Sequence, residues 1–197
     1  MSNNWTSSSL ARRHSKRTSR LLMPRLRRPI GCSSWRSLGR IATSSPVELG
    51  ETEETEFKST LRVNMVTRQP DPKMEFSALR ALASLLNSNG GKLVIGVSDD
   101  GKAVGLGIDG FESEDRMSIY FNKLIHERIG SHHSAHIRVR FEGYDDARTM
   151  AVTCSRSRLP VFLKDGNSER FFIRTGTSTR ELSGIQQFEY IKSRFGS

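Results

Sequence analysis

Two short stretches of the chain carry residue types from which a divalent-cation or phosphate site can be assembled. The first, Glu51-Thr52-Glu53-Glu54-Thr55-Glu56-Phe57-Lys58, runs glutamates into a lysine. The second, Asn87-Ser88-Asn89-Gly90-Gly91-Lys92-Leu93-Val94-Ile95-Gly96-Val97-Ser98-Asp99-Asp100-Gly101, ends in paired aspartates. Hard cations such as Mg²⁺ or Mn²⁺ prefer carboxylate oxygens. An ion so held lowers the pKa of an attacking water and stabilises charge developing at phosphorus. In an extended segment Lys58 projects from the same face as Glu56 and can reach a phosphate. The plainer reading is a solvated strand edge for the glutamates and an ordinary turn for Asp99-Asp100-Gly101. Glu56 falls inside a strand signal, whereas Glu53 and Glu54 read as solvent-facing.

The elements that would position these groups are legible from pattern. Phe57 to Val63 alternates loosely and reads as a first strand. Asp71-Pro72 supplies an N-cap and a proline at the first helical position. Met74, Ala78, Ala81, Leu82 and Leu85 then share one face of a helix over 73–87, closed by Asn89-Gly90-Gly91. Leu93 to Val97 is an apolar run suited to a buried strand, and Asp99-Asp100-Gly101 turns it back into Ala103-Val104-Gly105 as a hairpin. Met117, Phe121, Leu124, Ile125 and Ile129 follow at helical spacing. His136 to Phe141 and Thr149 to Cys154 alternate with period two about Asp145-Asp146, giving a hairpin with one wet face. Arg170 to Arg174 is a further strand, and Ser183-Gly184-Ile185-Gln186 reads as a capping box opening a last helix that carries Phe188, Ile191 and Phe195. The expected architecture is an α+β single domain over 47–197, a mixed sheet with two to three helices in the order β-α-β-β-α-β-β-β-α.

Charge divides the chain in the same place. Residues 1–50 hold ten Lys/Arg against one acid, Glu48, so the chain's net +10 resides almost wholly there and residues 51–197 are close to neutral. Residues 1–46 are expected to be a disordered Arg/Ser-rich arm, with a mitochondrial-type targeting segment as the alternative. No apolar stretch suits a secretory signal or a membrane span, and a cytoplasmic location without membrane contact is expected. Cys32 and Cys154 lack CxxC spacing and point to a reducing compartment.

The acidic segment, the glycine-rich block ending in Asp99-Asp100-Gly101, Pro160-Val161-Phe162-Leu163-Lys164, the segment Phe172-Ile173-Arg174-Thr175-Gly176-Thr177-Ser178-Thr179-Arg180 and the closing helix together resemble the Schlafen AlbA-type domain over residues 50–195. The resemblance implies a nucleic-acid-associated domain that in some Schlafen proteins is a metal-dependent endoribonuclease acting on structured, tRNA-like RNA. It places the acidic, metal-holding catalytic site on Glu51, Glu56 and Asp99. It equally implies the alternative, a non-catalytic module that binds DNA, RNA or ATP in regulation. Schlafen nucleases pair two such lobes and carry a Cys/His zinc site. This chain has one lobe and no such cluster, so a homodimer or a completing partner is expected, with RNA favoured over DNA.

Further cations could line a backbone track. Arg174 and Arg180 flank Gly176-Thr177-Ser178-Thr179, whose amides and hydroxyls could hold a phosphate, though both arginines could instead pair with Glu169 and Glu181. Lys58 and Lys164 are also assigned to nucleic-acid binding, and Arg156 and Arg158 could extend a basic stripe. Few aromatics interleave with them, so stacking of single-stranded bases is not indicated. His132, His133 and His136 read as a solvated turn rather than a zinc site. Gly101, Gly105, Gly107 and Gly110 lack a following Gly-Lys-Ser/Thr, so ATP binding has no support in the sequence itself.

Overall fold

The structure is a computed structural model that describes residues 51–196; the expectations for the N-terminal arm and Cys32 lie outside the described residues. Three α-helices and two sheets form the α+β architecture. In chain order the elements are β1 (Thr55–Lys58), α1 (Pro72–Asn87), β2 (Gly90–Ile95), α2 (Glu114–Arg128), β3 (Ile137–Tyr144), β4 (Ala147–Ser155), β5 (Phe162–Asp165), β6 (Ser168–Thr175), β7 (Ser178–Leu182) and α3 (Gly184–Phe195). The larger sheet has the order β1-β2-β4-β3, with β1 parallel to β2 and the other pairs antiparallel. The smaller sheet, β5-β6-β7, is antiparallel throughout.

Helix α1 lies between the sheets, which explains its composition. Its N-terminus is capped as expected, the Asp71 carboxylate accepting from the Lys73 amide at 2.9 Å with Pro72 in the first turn. Its C-terminal half is buried on every side, from Ala78 and Leu79 through Leu85, Leu86 and Asn87, as befits a helix covered by neighbours all round. One core joins Leu82 and Leu85 to Leu93, Ile95 and Val152 of the larger sheet and to Leu163 and Phe172 of the smaller. Each such leucine contributes about 1.5–3 kcal/mol by leaving water. The fully buried Asn87 side chain satisfies the smaller sheet, donating to the carbonyls of Val161 (2.8 Å) and Phe172 (2.9 Å) and accepting from the Val161 amide (2.8 Å). Met117, Phe121, Leu124 and Ile125 of α2 are buried, as their spacing predicts.

Several sequence expectations are corrected. The first strand stops at Lys58 instead of reaching Val63, because the buried carboxylate of Asp109 draws the next amides away from any sheet. It accepts from Leu61 N at 2.8 Å, Arg62 N at 2.9 Å and Val63 N at 3.2 Å. Ala103 to Gly105 is not a strand; a single bridge links Val97 to Ala103, and the Gly96 carbonyl accepts from both Val104 and Gly105. Two strands unforeseen as such, β5 and β7, complete the second sheet. Gly90 and Gly91 do more than follow the helix: a Cβ on Gly90 would strike the Cys154 carbonyl and one on Gly91 the Glu54 carbonyl, so both glycines open the close approach of β2 to its neighbours. The β3–β4 hairpin turns at Asp145-Asp146 as expected, with Asp145 in the left-handed region at φ 48°. Ser183 occupies the N-cap of α3 but its hydroxyl makes no cap bond, and Phe188 is exposed while Tyr190, Ile191 and Phe195 pack on β6 and β7. His133 is buried, in contrast to the solvated turn expected, with Nδ1 3.3 Å from the Ser157 hydroxyl. Burial first, then the neighbouring His132 and His136, push its pKa down to about 4.

Candidate nucleic-acid site

Strand β1 presents alternate side chains to two environments. Phe57 enters a small apolar cluster with Val94 and Val97, while Glu56 and Lys58 share the opposite face. The Glu56 carboxylate is buried and fully engaged: Oε1 accepts from Lys58 Nζ at 2.7 Å and Oε2 accepts from Arg174 Nη1. Arg174 arrives from β6 of the other sheet. Its Nη2 donates to the carbonyls of Thr52 (2.8 Å) and Thr55 (3.2 Å), and its amide donates to the Ser88 hydroxyl at 2.9 Å. Burial by itself would raise the Glu56 pKa, but the hydrogen bonds and charges of Lys58 and then Arg174 outweigh it and hold the carboxyl below its ordinary value. Glu51 anchors the start of the strand, Oε1 accepting from the Phe57 amide at 3.1 Å.

Beyond the end of β1 the surface opens into a cleft of about 390 Å³ lined by Lys58, Ser59, Thr60, Asn64, Ser77, Arg80 and Asp99. Arg80 reaches it from α1, and its Nε is buried without a hydrogen-bond partner among the described residues. A buried guanidinium N–H left unpaired is costly, and Arg174 Nε in the junction is in the same state. Asp99 stands exposed at the tip of the turn after β2 and enters this cleft. Its neighbour Asp100 is turned to Lys102, 2.5 Å away, and to the Ser98 hydroxyl. Those two hydrogen bonds, Lys102 foremost, pull its pKa to about 2.

The acids named from the sequence are therefore distributed over three settings. Glu56 is neutralised by two cations, Glu51 caps a strand amide, and Asp99 faces the cleft. Among the described residues no three His, Cys, Asp or Glu side chains lie together so as to hold a metal ion. Glu51, Glu56 and Asp99 thus do not fit a divalent cation in this conformation. Glu53 and Glu54 are exposed, as their place in the sequence suggests. Of the cations, Lys58 borders the cleft, whereas Arg174 lies inside the junction between the sheets instead of on a phosphate-facing loop. Arg180 and Lys164 are exposed on the smaller sheet. The carboxylate of Glu181 pairs with Arg170 (2.5 Å), which also holds Asp165 (2.9 Å).

Sequence reasoning missed Arg80, Ser77 and Asn64. A signal was present for two of them: Ser77, Arg80, Ser84 and Asn87 recur three or four residues apart, a polar stripe along an otherwise apolar helix. Its second half knits α1 to the smaller sheet, Ser84 bonding Thr179 at 3.2 Å. Its first half faces the cleft.

The two sheets packed about α1 define an α+β domain with an open cleft that carries Lys58, Arg80 and Asp99. Residues 51–183 match the Schlafen, AlbA_2 family model, and the chain belongs to that family, whose domains generally bind nucleic acid. Among solved structures, the DIP2311 protein from Corynebacterium diphtheriae shares the fold, with a TM-score of 0.52 and 20% identity over 74% of this chain. The match covers 28% of that protein's length. No curated protein matches the chain. Among the described residues no helix is long and apolar enough to cross a membrane.

Proposed function

We propose that the domain binds the phosphate backbone of nucleic acid, structured RNA in preference to DNA, in the cleft between the end of β1 and the N-terminal half of α1. The observation that carries this reading is the convergence of Arg80, whose side chain makes no hydrogen bond among the described residues, with Lys58 and the hydroxyls of Ser59, Thr60 and Ser77 on one open cleft. A phosphate oxygen supplies the acceptor that the guanidinium lacks, and charge-assisted bonds of this kind are the strong ones. The preference for RNA rests on the family likeness. The domain acts here as a regulatory binding module, because Glu56 is consumed by its ion pairs. Arg80→Gln tests the reading: affinity for a labelled hairpin RNA falls about tenfold, as expected for loss of one charge-assisted contact, while the urea midpoint holds. Unchanged affinity would refute it. Unlabelled ATP and duplex DNA as competitors rank the alternative ligands.

A second reading, a Mg²⁺- or Mn²⁺-dependent endoribonuclease using Glu51, Glu56 and Asp99, draws support from Asp99 sharing the cleft with Lys58. It requires Glu56 to exchange Arg174 and Lys58 for the ion, and a second copy or partner lobe to complete the site. A bound cation would supply Lewis-acid chemistry; the chain's own groups would position the phosphate. Asp99→Asn is the clean test, since Asp99 is exposed and its loss leaves the ion pairs of Glu56 in place. Metal-dependent cleavage by the wild-type chain that Asp99→Asn abolishes supports the nuclease reading, and cleavage that Asp99→Asn leaves unchanged removes Asp99 from it.

A further inference from the structure

A second cationic site lies at the other end of α1. The segment after β4 is pinned by Ser157, which is buried, donates its amide to the Leu86 carbonyl at 2.9 Å and its hydroxyl to the Leu159 carbonyl at 2.7 Å. Arg156 and Arg158 flank this anchor and, with Arg194 and Phe195 from the end of α3, line a pocket of about 430 Å³. Among the described residues no carboxylate lies within ion-pair distance of any of the three arginines. Two of them make one bond each to a carbonyl: Arg194 Nη2 donates to Ser88 O at 2.7 Å, and Arg156 Nη2 to Arg194 O at 3.5 Å. A guanidinium has five N–H groups, so most donors remain open, and Arg158 makes no hydrogen bond among the described residues. Desolvation and then repulsion from Arg156 lower the pKa of Arg194, a cost that a bound anion would relieve.

We infer that Arg156, Arg158 and Arg194 form a phosphate-binding subsite that takes a second backbone phosphate of the nucleic acid bound in the Arg80 cleft. The inference rests on the proposed function for the source of the phosphate, and on the pocket alone for its chemistry. Converging guanidiniums with no counter-charge among the described residues match the several acceptor oxygens of a phosphate better than any neutral ligand. Arg194 touches Ser88 at the C-terminal end of α1. Arg80 and Ser88 are eight residues apart on that helix, roughly 12 Å along its axis. Two separated contacts of this kind fix the direction of a strand as well as its affinity.

The test uses the full chain and a fluorescein-labelled hairpin RNA, with anisotropy read across a salt series. Arg158→Gln is expected to weaken binding three- to tenfold and to reduce the slope of log affinity against log salt by about 0.7–0.9, with Arg158→Lys restoring the slope. Because Arg158 holds no structural bond, the urea midpoint should not move. If Arg158→Gln and Arg156→Gln leave affinity and slope unchanged while Arg80→Gln lowers both, the subsite is refuted and the cleft stands. If the wild-type chain binds no nucleic acid, the proposed function fails and pyrophosphate decides the pocket. Movement of the Arg156 and Arg158 side-chain Nε–H resonances on adding pyrophosphate supports a phosphoanion site, and resonances that do not move overturn it.

Discussion

Glu56 and Asp99 are both carboxylates near the end of β1 and within reach of the same lysine's surroundings, yet they occupy opposite physical regimes. Glu56 sits in a closed junction where Lys58 and Arg174 take both oxygens and the two sheets are tied together. Asp99 stands exposed at the rim of an open cleft that Lys58 and Arg80 also line. The junction is closed and structural; the cleft is open and free to accept a ligand. The difference shows that acid-rich spacing identifies neither a metal site nor its absence. What decides is whether cations from elsewhere in the fold arrive first.

The largest effect is expected at the junction. Arg174→Met leaves Glu56 buried without its main cross-sheet partner and should cost about 3–5 kcal/mol of stability, read from the urea midpoint. Adding Glu56→Gln to that variant should recover part of the loss, because the uncompensated charge is then gone. A double variant no more stable than the single one would mean the pair does not carry the junction.

Acid separates two buried groups next. His133 has its pKa depressed from 6.5 to about 4, so the unfolded chain takes up a proton the native state refuses. Stability should fall by about 2–3 kcal/mol as pH drops through that window, and His133→Gln should flatten the decline. Glu56 has its pKa lowered from the ordinary 4.5, so its contribution is present above pH 4.5 and is lost as pH falls further. Arg174→Met should blunt that second step and leave the first intact.

In the cleft the effects move from stability to binding. Arg80→Gln should lower RNA affinity about tenfold with an unchanged midpoint. Asp99→Asn should act least: without metal it removes a charge that repels phosphate, so affinity should rise by a factor of about two to three, on the scale of an exposed charge. A fall in metal-free affinity would show that Asp99 assists binding and would erase the contrast drawn with Glu56.

Much of the fold was legible because its signals are local. Asp71-Pro72 marked the start of α1, the stripe from Met117 to Ile125 marked α2, and Asp145-Asp146 marked the β3–β4 turn. The strand that failed to continue past Lys58 was stopped by Asp109, a residue whose amide partners lie 46 to 48 positions away. The candidate site divides in the same manner. That Glu56 and Lys58 share a face follows from strand periodicity, and their 2.7 Å contact agrees with it. That Arg174 would neutralise Glu56 could not be read, since the two are 118 residues apart.

Taken by itself, the sequence determined the helices, the hairpin, the family and the separation of a basic N-terminal stretch from a near-neutral domain. All of these depend on residue type and on spacings shorter than an element. Only the tertiary structure decided which carboxylate is charged and silenced, which arginine is buried in a junction and which lines an open cleft. Those outcomes depend on burial and on the meeting of the two sheets across α1, where electrostatic free energy is set by neighbours that the chain brings from more than a hundred residues away.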